Sequence, residues 1–224
     1  MKILVYVEGL SDVAALKGLL QDLILDGRRK RVGVAFHSTE GKDRLLDEVP
    51  RKAAAHLASS PGDWVFTLPD LYPMARFKDT KWPHLSAQNL KDRLAASFES
   101  AADRHRIPSE ARHRFRPHCL KHDLETLILA VPDELRRRLG TRDKFGGAWR
   151  CPVEDQNDHR PPKRVVEDLF KKYRKQRRKY IEIQDAPAIL KAEHLESIRN
   201  ACLQCFGPFV ADLVRAIESG GGGR

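Results

Sequence analysis

The N-terminal third of the chain alternates between short apolar runs and amphipathic segments. The apolar runs at residues 2–7, 32–36 and 64–68 have the length and the branched side chains of buried strands. The segments between them have helical spacing, the first beginning after Ser11 as a predicted N-cap and the second covering residues 43–58. Strands that alternate with helices favour an α/β fold with a parallel sheet. The sequence therefore predicts a parallel sheet flanked by helices.

The rest of the chain is mostly helical in its pattern. Residues 71–85 and 142–162 contain prolines and glycines and predict irregular loops, and residues 115–120 predict a fourth strand. The segments with helical periodicity are residues 87–105, 122–130, 163–178 and 193–218. We therefore predict an α/β core at residues 1–130, a basic, mostly helical extension of the same domain at residues 131–218, and a flexible tail at residues 219–224.

Composition limits the class of protein. Of the 224 residues 41% are hydrophobic, which is enough for a sizeable core and excludes a disordered chain. No run of eighteen apolar residues occurs, so we expect no membrane span. Four cysteines in a chain of this length do not indicate a disulfide framework, and they predict a reducing, cytoplasmic location.

The positive charge is concentrated in one segment. The formal net charge is +10, and residues 161–180 contain nine basic and two acidic residues. We call the basic residues of this segment the basic stripe: Lys163, Arg164, Lys171, Lys172, Arg174, Lys175, Arg177, Arg178 and Lys179. Such a stripe predicts contact with the phosphates of a nucleic acid. A solvated helix face is the alternative, and the sequence leaves it open.

Acidic residues follow two of the predicted strands. Glu8 comes after the first strand and Asp70 after the third, and Asp12 lies four residues beyond Glu8. Because ligands bind at the carboxyl ends of parallel strands, these side chains are expected to converge. Carboxylates that converge need a cation, and oxygen ligands select Mg²⁺ or Mn²⁺. For Asp12, stabilisation of the helix N-terminus is the alternative.

This part of the chain resembles a known domain. An apolar strand that ends in Val7-Glu8-Gly9, followed by Ser11-Asp12 and a leucine-rich helix, is similar to the first motif of the TOPRIM domain. Topoisomerases, bacterial primases and overcoming-lysogenization-defect nucleases share that domain. Its second motif is Asp-x-Asp, where this chain has Asp70-Leu71-Tyr72, so the second acid is missing.

A resemblance to one family covers most of the chain. The matching motifs, in order, are Glu8-Gly9, Gly41-Lys42, Asp70-Leu71-Tyr72, His122-Asp123-Leu124-Glu125, Pro161-Pro162-Lys163-Arg164 and the segment from Cys202 to Phe209. They resemble a TOPRIM-like bacterial family of unknown function, whose members often occur with an ATPase and are suspected anti-phage effectors. The resemblance implies a metal-dependent nuclease with an ATPase partner, and Glu8, Asp12, Asp70 and Glu125 as metal ligands.

The residue types suit phosphodiester cleavage. Glu8 is the predicted catalytic carboxylate, as a metal ligand, a general base or a general acid. Lys42 is the predicted second catalytic residue, because it follows Gly41 at a helix start where a phosphate can bind. An ordinary turn is the alternative for residues 38–42. His122 and Glu125 are expected on one helix face as phosphate donor and fourth ligand, with an ion pair as the alternative for Glu125, and Asp123 as a solvated acid.

The cysteines suggest a competing metal site. Cys202-x-x-Cys205 together with Cys119-x-x-His122 would provide four zinc ligands. Cys202 and Cys205, however, are predicted to lie inside a helix, where free cysteine behaves as a small buried hydrophobe. The sequence favours buried hydrophobic cysteines over a zinc site.

Two functions remain open at this point. The retained acids favour a nuclease that cleaves DNA or RNA with Mg²⁺ or Mn²⁺. The tyrosine at position 72 favours a catalytically degenerate module that binds nucleic acid or an ATPase partner. The sequence also leaves open whether the chain forms a homodimer.

Overall fold

The computed structural model describes residues 1–156, 159–174 and 179–221 of the chain. Four strands form one parallel sheet in the order β2-β1-β3-β4. The strands are β1 (Lys2–Val7), β2 (Gly33–Ser38), β3 (Trp64–Thr67) and β4 (Phe115–Pro117). The sheet is flanked by helices and followed by further helices, which confirms the predicted fold class.

The described residues contain eleven α-helices. They are α1 (Leu10–Leu19), α2 (Gln21–Arg29), α3 (Lys42–Ser59), α4 (Ala87–Arg104), α5 (Ser109–Arg112), α6 (Glu125–Leu129), α7 (Pro132–Leu139), α8 (Pro162–Tyr173), α9 (Glu182–Ile189), α10 (Leu195–Ala201) and α11 (Phe206–Gly221). None of them is both long enough and apolar enough to cross a membrane, among the residues that the structure describes.

Both faces of the sheet are covered, as expected for parallel strands. Val5 of β1 is fully buried and lies opposite Phe36 in β2 and Phe66 in β3. It belongs to a core that also contains Phe209 of α11. On the other face, Leu4 packs against a second cluster built mainly from α3 and α4. Alternate residues of β1 therefore serve two different cores.

The main core extends across the predicted boundary between residues 130 and 131. Val5 of β1 shares it with Phe170 of α8 and Leu213 of α11. The division at residue 130 stays a prediction, and the packing joins both parts in one hydrophobic cluster. Helix α11 continues to Gly221, three residues into the predicted tail, and residues 222–224 lie outside the described part.

The pairing of β3 with β4 is interrupted and then resumes. The predicted strand at residues 115–120 is regular only to Pro117, because Pro69 has no N–H to donate to the ladder. Beyond the interruption Leu120 donates to the Pro69 carbonyl across 2.8 Å, and Leu71 donates to the Leu120 carbonyl across 2.9 Å. Asp70 is thereby held between two backbone hydrogen bonds, at the edge where the sheet ends.

Three predicted helix positions were wrong. The helix expected at residues 122–130 is limited to α6, because the His122 N–H donates to the Thr126 hydroxyl in a turn before it. The basic helix expected at residues 163–178 ends at Tyr173, where its apolar face ends, and residues 175–178 lie outside the described part. Cys202 and Cys205 lie in the turn between α10 and α11 rather than inside a helix.

Candidate functional site

The carboxyl ends of β1 and β3 bring two of the predicted acids together. Glu8 follows β1 directly, and its Oε1 accepts a hydrogen bond of 3.0 Å from the Asp70 N–H. The Glu8 backbone carbonyl accepts a second bond, of 2.9 Å, from the N–H of Gly41, which precedes α3. The parallel arrangement of the strands predicts that Glu8 and Asp70 converge, and the hydrogen bond between them fixes their relative position.

Asp12 makes a hydrogen bond at the start of the first helix and also interacts electrostatically with Glu8. Its Oδ2 accepts a hydrogen bond of 2.8 Å from the N–H of Gly9, and Gly9 is the N-cap residue of α1. The prediction that Ser11 is the N-cap was wrong. The Ser11 hydroxyl instead donates to Glu182 of α9, 171 positions along the chain. The capping role of Asp12 does not remove it from the site, because its charge still raises the pKa of Glu8.

Asp123 is part of the site, contrary to its prediction as a solvated acid. It is 6% exposed, and its Oδ2 accepts a hydrogen bond of 3.2 Å from the Lys163 N–H in the first turn of α8. Its other oxygen is buried without a hydrogen-bond partner among the described residues. The missed signal is the proline pair before Lys163, which starts α8 and directs the free N–H of Lys163 at this carboxylate.

Glu125 lies at the start of α6 and is 1% exposed. In the part of the chain that the structure describes, its Oε1 is buried without a hydrogen bond of ordinary geometry, as is the hydroxyl of neighbouring Tyr180. No ion pair to Glu125 is present among the described residues, so the alternative role in a buried ion pair is not supported. A buried carboxylate oxygen that lacks a hydrogen bond of ordinary geometry is the type of atom that a cation would satisfy.

Glu182 is a site residue that the sequence did not indicate. Its carboxylate accepts hydrogen bonds from the Ser11 hydroxyl and from the Lys163 ammonium. Burial lowers the pKa of Lys163, but the Glu182 bond and the charges of Glu125 and Asp70 raise it by more. Lys163, which belongs to the basic stripe, therefore lies beside these carboxylates.

The cluster perturbs the titration of its own members. Burial is the largest cause in each case, and it raises the pKa of Asp12 to about 6, of Glu8 and Asp123 to about 7, and of Glu125 to about 8. The pKa of Asp70 is raised by burial and then by the charges of the other acids, beginning with Glu8 and Asp12. We call these five residues the acidic cluster.

The donor set of the acidic cluster fits a hard divalent cation. All its ligands are carboxylates, and among the described residues Asp123 and Glu125 each have a buried oxygen without a hydrogen bond of ordinary geometry. Mg²⁺ and Mn²⁺ prefer such oxygen ligands. In the described ranges no three His, Cys, Asp or Glu side chains are arranged closely enough to hold a metal ion. The chemistry of the cluster thus suits a metal, while its side chains are not arranged around one point.

Lys42 is not available at the surface. It is 3% exposed, and its ammonium donates across 2.9 Å to the Leu71 carbonyl and lies 3.2 Å from Nε2 of His84. Burial lowers the pKa of Lys42, while the charges of Glu8 and Asp70 act in the opposite direction. The predicted contact of Lys42 with a phosphate does not agree with this burial.

An aromatic pair occupies the place of the missing second acid. The rings of Tyr72 and His122 stack with centroids 4.1 Å apart, and the Tyr72 N–H donates to the His122 carbonyl. His122 precedes α6, and its Nε2 lies 3.1 Å from the Glu154 carbonyl. The prediction that His122 and Glu125 share a helix face was therefore wrong.

The basic stripe is only partly described. Lys171, Lys172 and Lys179 are exposed, and Arg164 is exposed beside two acids of its own helix. Arg174 is partly buried and donates to the Arg138 carbonyl. The remaining predicted residues, Lys175, Arg177 and Arg178, lie outside the described residues. A cavity of about 460 Å³ is lined by Arg164, Glu167, Asp168, Lys171, Lys179 and Tyr180.

The zinc alternative receives no support. Cys119, Cys202 and Cys205 are buried free thiols, and Cys119 and Cys205 belong to the same hydrophobic cluster. With His122 they form no metal-binding group among the residues described. The interpretation as buried hydrophobes agrees with their burial, although not with the predicted helix.

Comparisons with known proteins give one family and two similar folds. The C-terminal region of the Burkholderia pseudomallei OLD protein is 18% identical, with a TM-score of 0.43, over 95% of this chain and 98% of that one. The C-terminal region of the Xanthomonas campestris pv. campestris OLD protein is 13% identical, with a TM-score of 0.39, over 90% and 95%. No curated protein matches the chain. A family model described as Domain of unknown function (DUF4276) matches residues 7–214, and the chain belongs to that family.

Proposed function

We propose that the chain is a metal-dependent nuclease that hydrolyses phosphodiester bonds of DNA or RNA, with Mg²⁺ or Mn²⁺ as cofactor. The observation that carries the proposal is the acidic cluster, in which carboxylates from distant parts of the chain meet at the carboxyl edge of a parallel sheet. Burial and mutual repulsion make the ionised cluster unfavourable on its own. A divalent cation is the partner that best offsets both costs.

The proposed ligands are Glu8, Asp12, Asp70 and Glu125, and the geometry adds Asp123. A metal bound there would polarise the phosphate and stabilise charge on the attacking or leaving oxygen. Asp70 orients Glu8 through its N–H, which engages one carboxylate oxygen and leaves the other to a proton or a cation. A pKa of about 7 allows Glu8 to accept or release a proton near neutral pH.

The basic stripe supplies the proposed nucleic-acid contacts. Lys171 and Lys179 line the 460 Å³ cavity together with Tyr180, whose hydroxyl approaches Glu125. Tyr180 thus connects the surface beside the stripe with the acidic cluster. We propose that a phosphate backbone contacts these exposed lysines.

Cleavage assays on the purified full chain test the proposal. Plasmid, single-stranded DNA and tRNA are incubated with Mg²⁺, Mn²⁺ or EDTA, using the parent, Glu8→Gln and Glu218→Gln, in which an exposed acid of α11 is changed in the same way. Cleavage that needs metal, is lost in Glu8→Gln and persists in Glu218→Gln supports the nuclease. Absence of cleavage of every substrate, alone and with an ATPase partner, rejects it.

A catalytically degenerate binding module is the second candidate. It is favoured by the Tyr72–His122 stack at the position of the missing acid and by the absence of three convergent ligands among the described residues. In that case the chain binds nucleic acid equally well in Mg²⁺ and EDTA, and it cuts nothing. Electrophoretic mobility shifts in the two buffers separate the candidates.

The biological setting follows from the sequence resemblance and is proposed on that basis. We propose a cytoplasmic anti-phage effector that works with an ATPase encoded beside it. Co-expression with that ATPase and co-purification test the partnership. Light scattering of the purified chain tests the homodimer that the sequence left open.

A further inference from the structure

The carboxyl ends of β1 and β3, which are followed by Glu8 and Asp70, are connected through the start of α3. The Gly41 N–H donates to the Glu8 backbone carbonyl across 2.9 Å. The next residue, Lys42, donates from its ammonium to the Leu71 carbonyl across 2.9 Å. A third hydrogen bond, of 3.0 Å, runs from the Asp70 N–H to the Glu8 carboxylate. Two hydrogen bonds therefore join the ends of β1 and β3 to residues 41–42, and a third joins the two strand ends to each other.

Gly41 is suited to this junction by its backbone. Its φ is +129°, in the region that L side chains rarely adopt. A side chain at position 41 would have its Cβ in open space, so the backbone conformation rather than a lack of room requires glycine. This conformation starts α3 with Lys42 directed at β3 while the backbone remains bonded to Glu8.

The ammonium of Lys42 is surrounded by acceptors inside the protein. Nδ1 of His84 lies 2.8 Å from the Trp82 carbonyl, which can only accept, so the proton of a neutral His84 is on Nδ1. Nε2 is then an acceptor, and it lies 3.2 Å from the Lys42 ammonium. The Phe77 ring adds a cation–π contact with its centroid 4.8 Å away.

We infer that Lys42 is a positioning residue that locks Asp70 and Glu8 in register and anchors the segment carrying Phe77 and His84 beside them, without touching the substrate. Its nitrogen is buried and engaged by protein acceptors, so no phosphate contact is needed to explain it. The bond to the Leu71 carbonyl fixes the peptide between Leu71 and Tyr72, one residue beyond Asp70. The Asp70 N–H in turn orients the Glu8 carboxylate.

Two variants in the same helix test this inference. Lys42→Met keeps the length of the side chain and removes its charge and donors, and Lys52→Met makes the same change at a lysine whose side chain is 57% exposed. Amide hydrogen exchange measures the hydrogen bond of Asp70, with the amide of Phe66 in the middle of β3 as the internal reference. In Lys42→Met we expect the Asp70 amide to exchange about tenfold faster relative to Phe66. Lys52→Met should match the parent.

Kinetics distinguish positioning from substrate contact, and this arm alone rests on the proposed function. We expect Lys42→Met to lower kcat by about 10²-fold with KM within about twofold, because misplaced groups slow the reaction without weakening substrate binding. A raised KM with unchanged kcat would assign Lys42 to the substrate and overturn the inference. Unchanged exchange at Asp70 would overturn it as well.

The exchange experiment decides the inference even when the parent cuts nothing, so failure of the proposed function is distinguishable from failure of the positioning role. His84→Ala provides a second variant if Lys42→Met does not fold. It removes one of the two acceptors that hold the ammonium, so the bond to the Leu71 carbonyl is less firmly held and Asp70 should exchange faster than in the parent. Exchange at the parental rate in His84→Ala would then count against the inference.

Discussion

The backbone N–H of Asp70 lies 3.0 Å from Oε1 of Glu8, and this hydrogen bond joins the two acids that follow neighbouring strands of the sheet. The bond favours the ionised form of Glu8, as does the charge of Lys42, while burial and the charge of Asp12 favour the protonated form. Burial is the largest influence, and the result is a pKa of about 7. Glu8 therefore changes charge in the range where the protein would act.

Glu8→Gln should strongly reduce phosphodiester cleavage and leave the fold intact. Glutamine keeps the size of the side chain and an oxygen that can accept from Asp70, but it cannot carry the charge or transfer a proton. We expect cleavage to fall by at least about 10²-fold, the lower range for acid–base groups. Initial rates on the preferred substrate and a thermal melt measure the two effects. Cleavage at the parental rate would show that Glu8 is not catalytic.

The metal-free protein should lose stability as the pH rises. Burial raises the folded-state pKa of Glu125 from 4.5 to about 8, so the folded chain binds more protons than the unfolded chain between these values. Stability then decreases with rising pH, by up to roughly 1.4 kcal/mol per pH unit for one such group. Buried His118, whose pKa is lowered to about 4, has the opposite effect below its ordinary value. The window from about pH 6.5 to 8 is therefore the informative one.

Thermal unfolding in EDTA across that window measures the effect. Glu125→Gln should flatten the decline in Tm, because glutamine does not titrate, and Glu218→Gln should not. Addition of Mn²⁺ at pH 8 should restore Tm by binding the folded state. A Tm that is independent of pH in EDTA, or insensitive to Mn²⁺, would contradict the proposed metal site.

The strand pattern predicted the sheet because side-chain periodicity is a local property. The runs at residues 2–7 and 64–68 are almost the observed β1 and β3, and the convergence of Glu8 with Asp70 follows from parallel pairing. Helix limits were less predictable where tertiary contacts decide them. Thr126 caps a turn that keeps His122 outside α6, and nothing in the local spacing indicates this hydrogen bond.

Asp12 combines two roles that substitutions can separate. Asn keeps an oxygen that can accept from the Gly9 N–H, whereas Ala removes it. Asp12→Ala should therefore lower the free energy of unfolding by about 0.5–1.5 kcal/mol, as expected for loss of one hydrogen bond at the start of a helix, and Asp12→Asn by much less. Both should weaken Mn²⁺ binding, because neither has a carboxylate. Denaturant melts and calorimetric titration measure the two properties, and parental Mn²⁺ affinity in both variants would leave Asp12 only its capping role.

The half of the site that the sequence missed depends on long-range contacts. Glu182 meets Ser11 across 171 positions and Asp123 meets Lys163 across 40 positions, so no motif of neighbouring residues contains either pair. Asp123 was predicted to be solvated because its helical position pointed away from Glu125. That helix begins later than predicted, and the changed backbone buries the carboxylate against α8.

The basic stripe makes a prediction with a matched control. Lys171 and Lys172 are adjacent exposed lysines in the last turn of α8, and Arg28 and Arg29 are adjacent exposed arginines in the last turn of α2. Changing either pair to glutamate alters the net charge by the same amount, from +10 to +6. A general effect of net charge would therefore weaken nucleic-acid binding equally in the two variants.

A specific contact predicts different salt dependence. If the lysines of α8 contact phosphates, the Lys171→Glu, Lys172→Glu variant should lose roughly one unit of slope in a plot of log affinity against log salt for each lost contact. The Arg28→Glu, Arg29→Glu variant should keep the parental slope, because α2 lies outside the proposed interface. Fluorescence anisotropy with labelled single-stranded DNA and tRNA at several salt concentrations measures both slopes. Equal slopes in the two variants would identify the described part of the stripe as a solvated helix face.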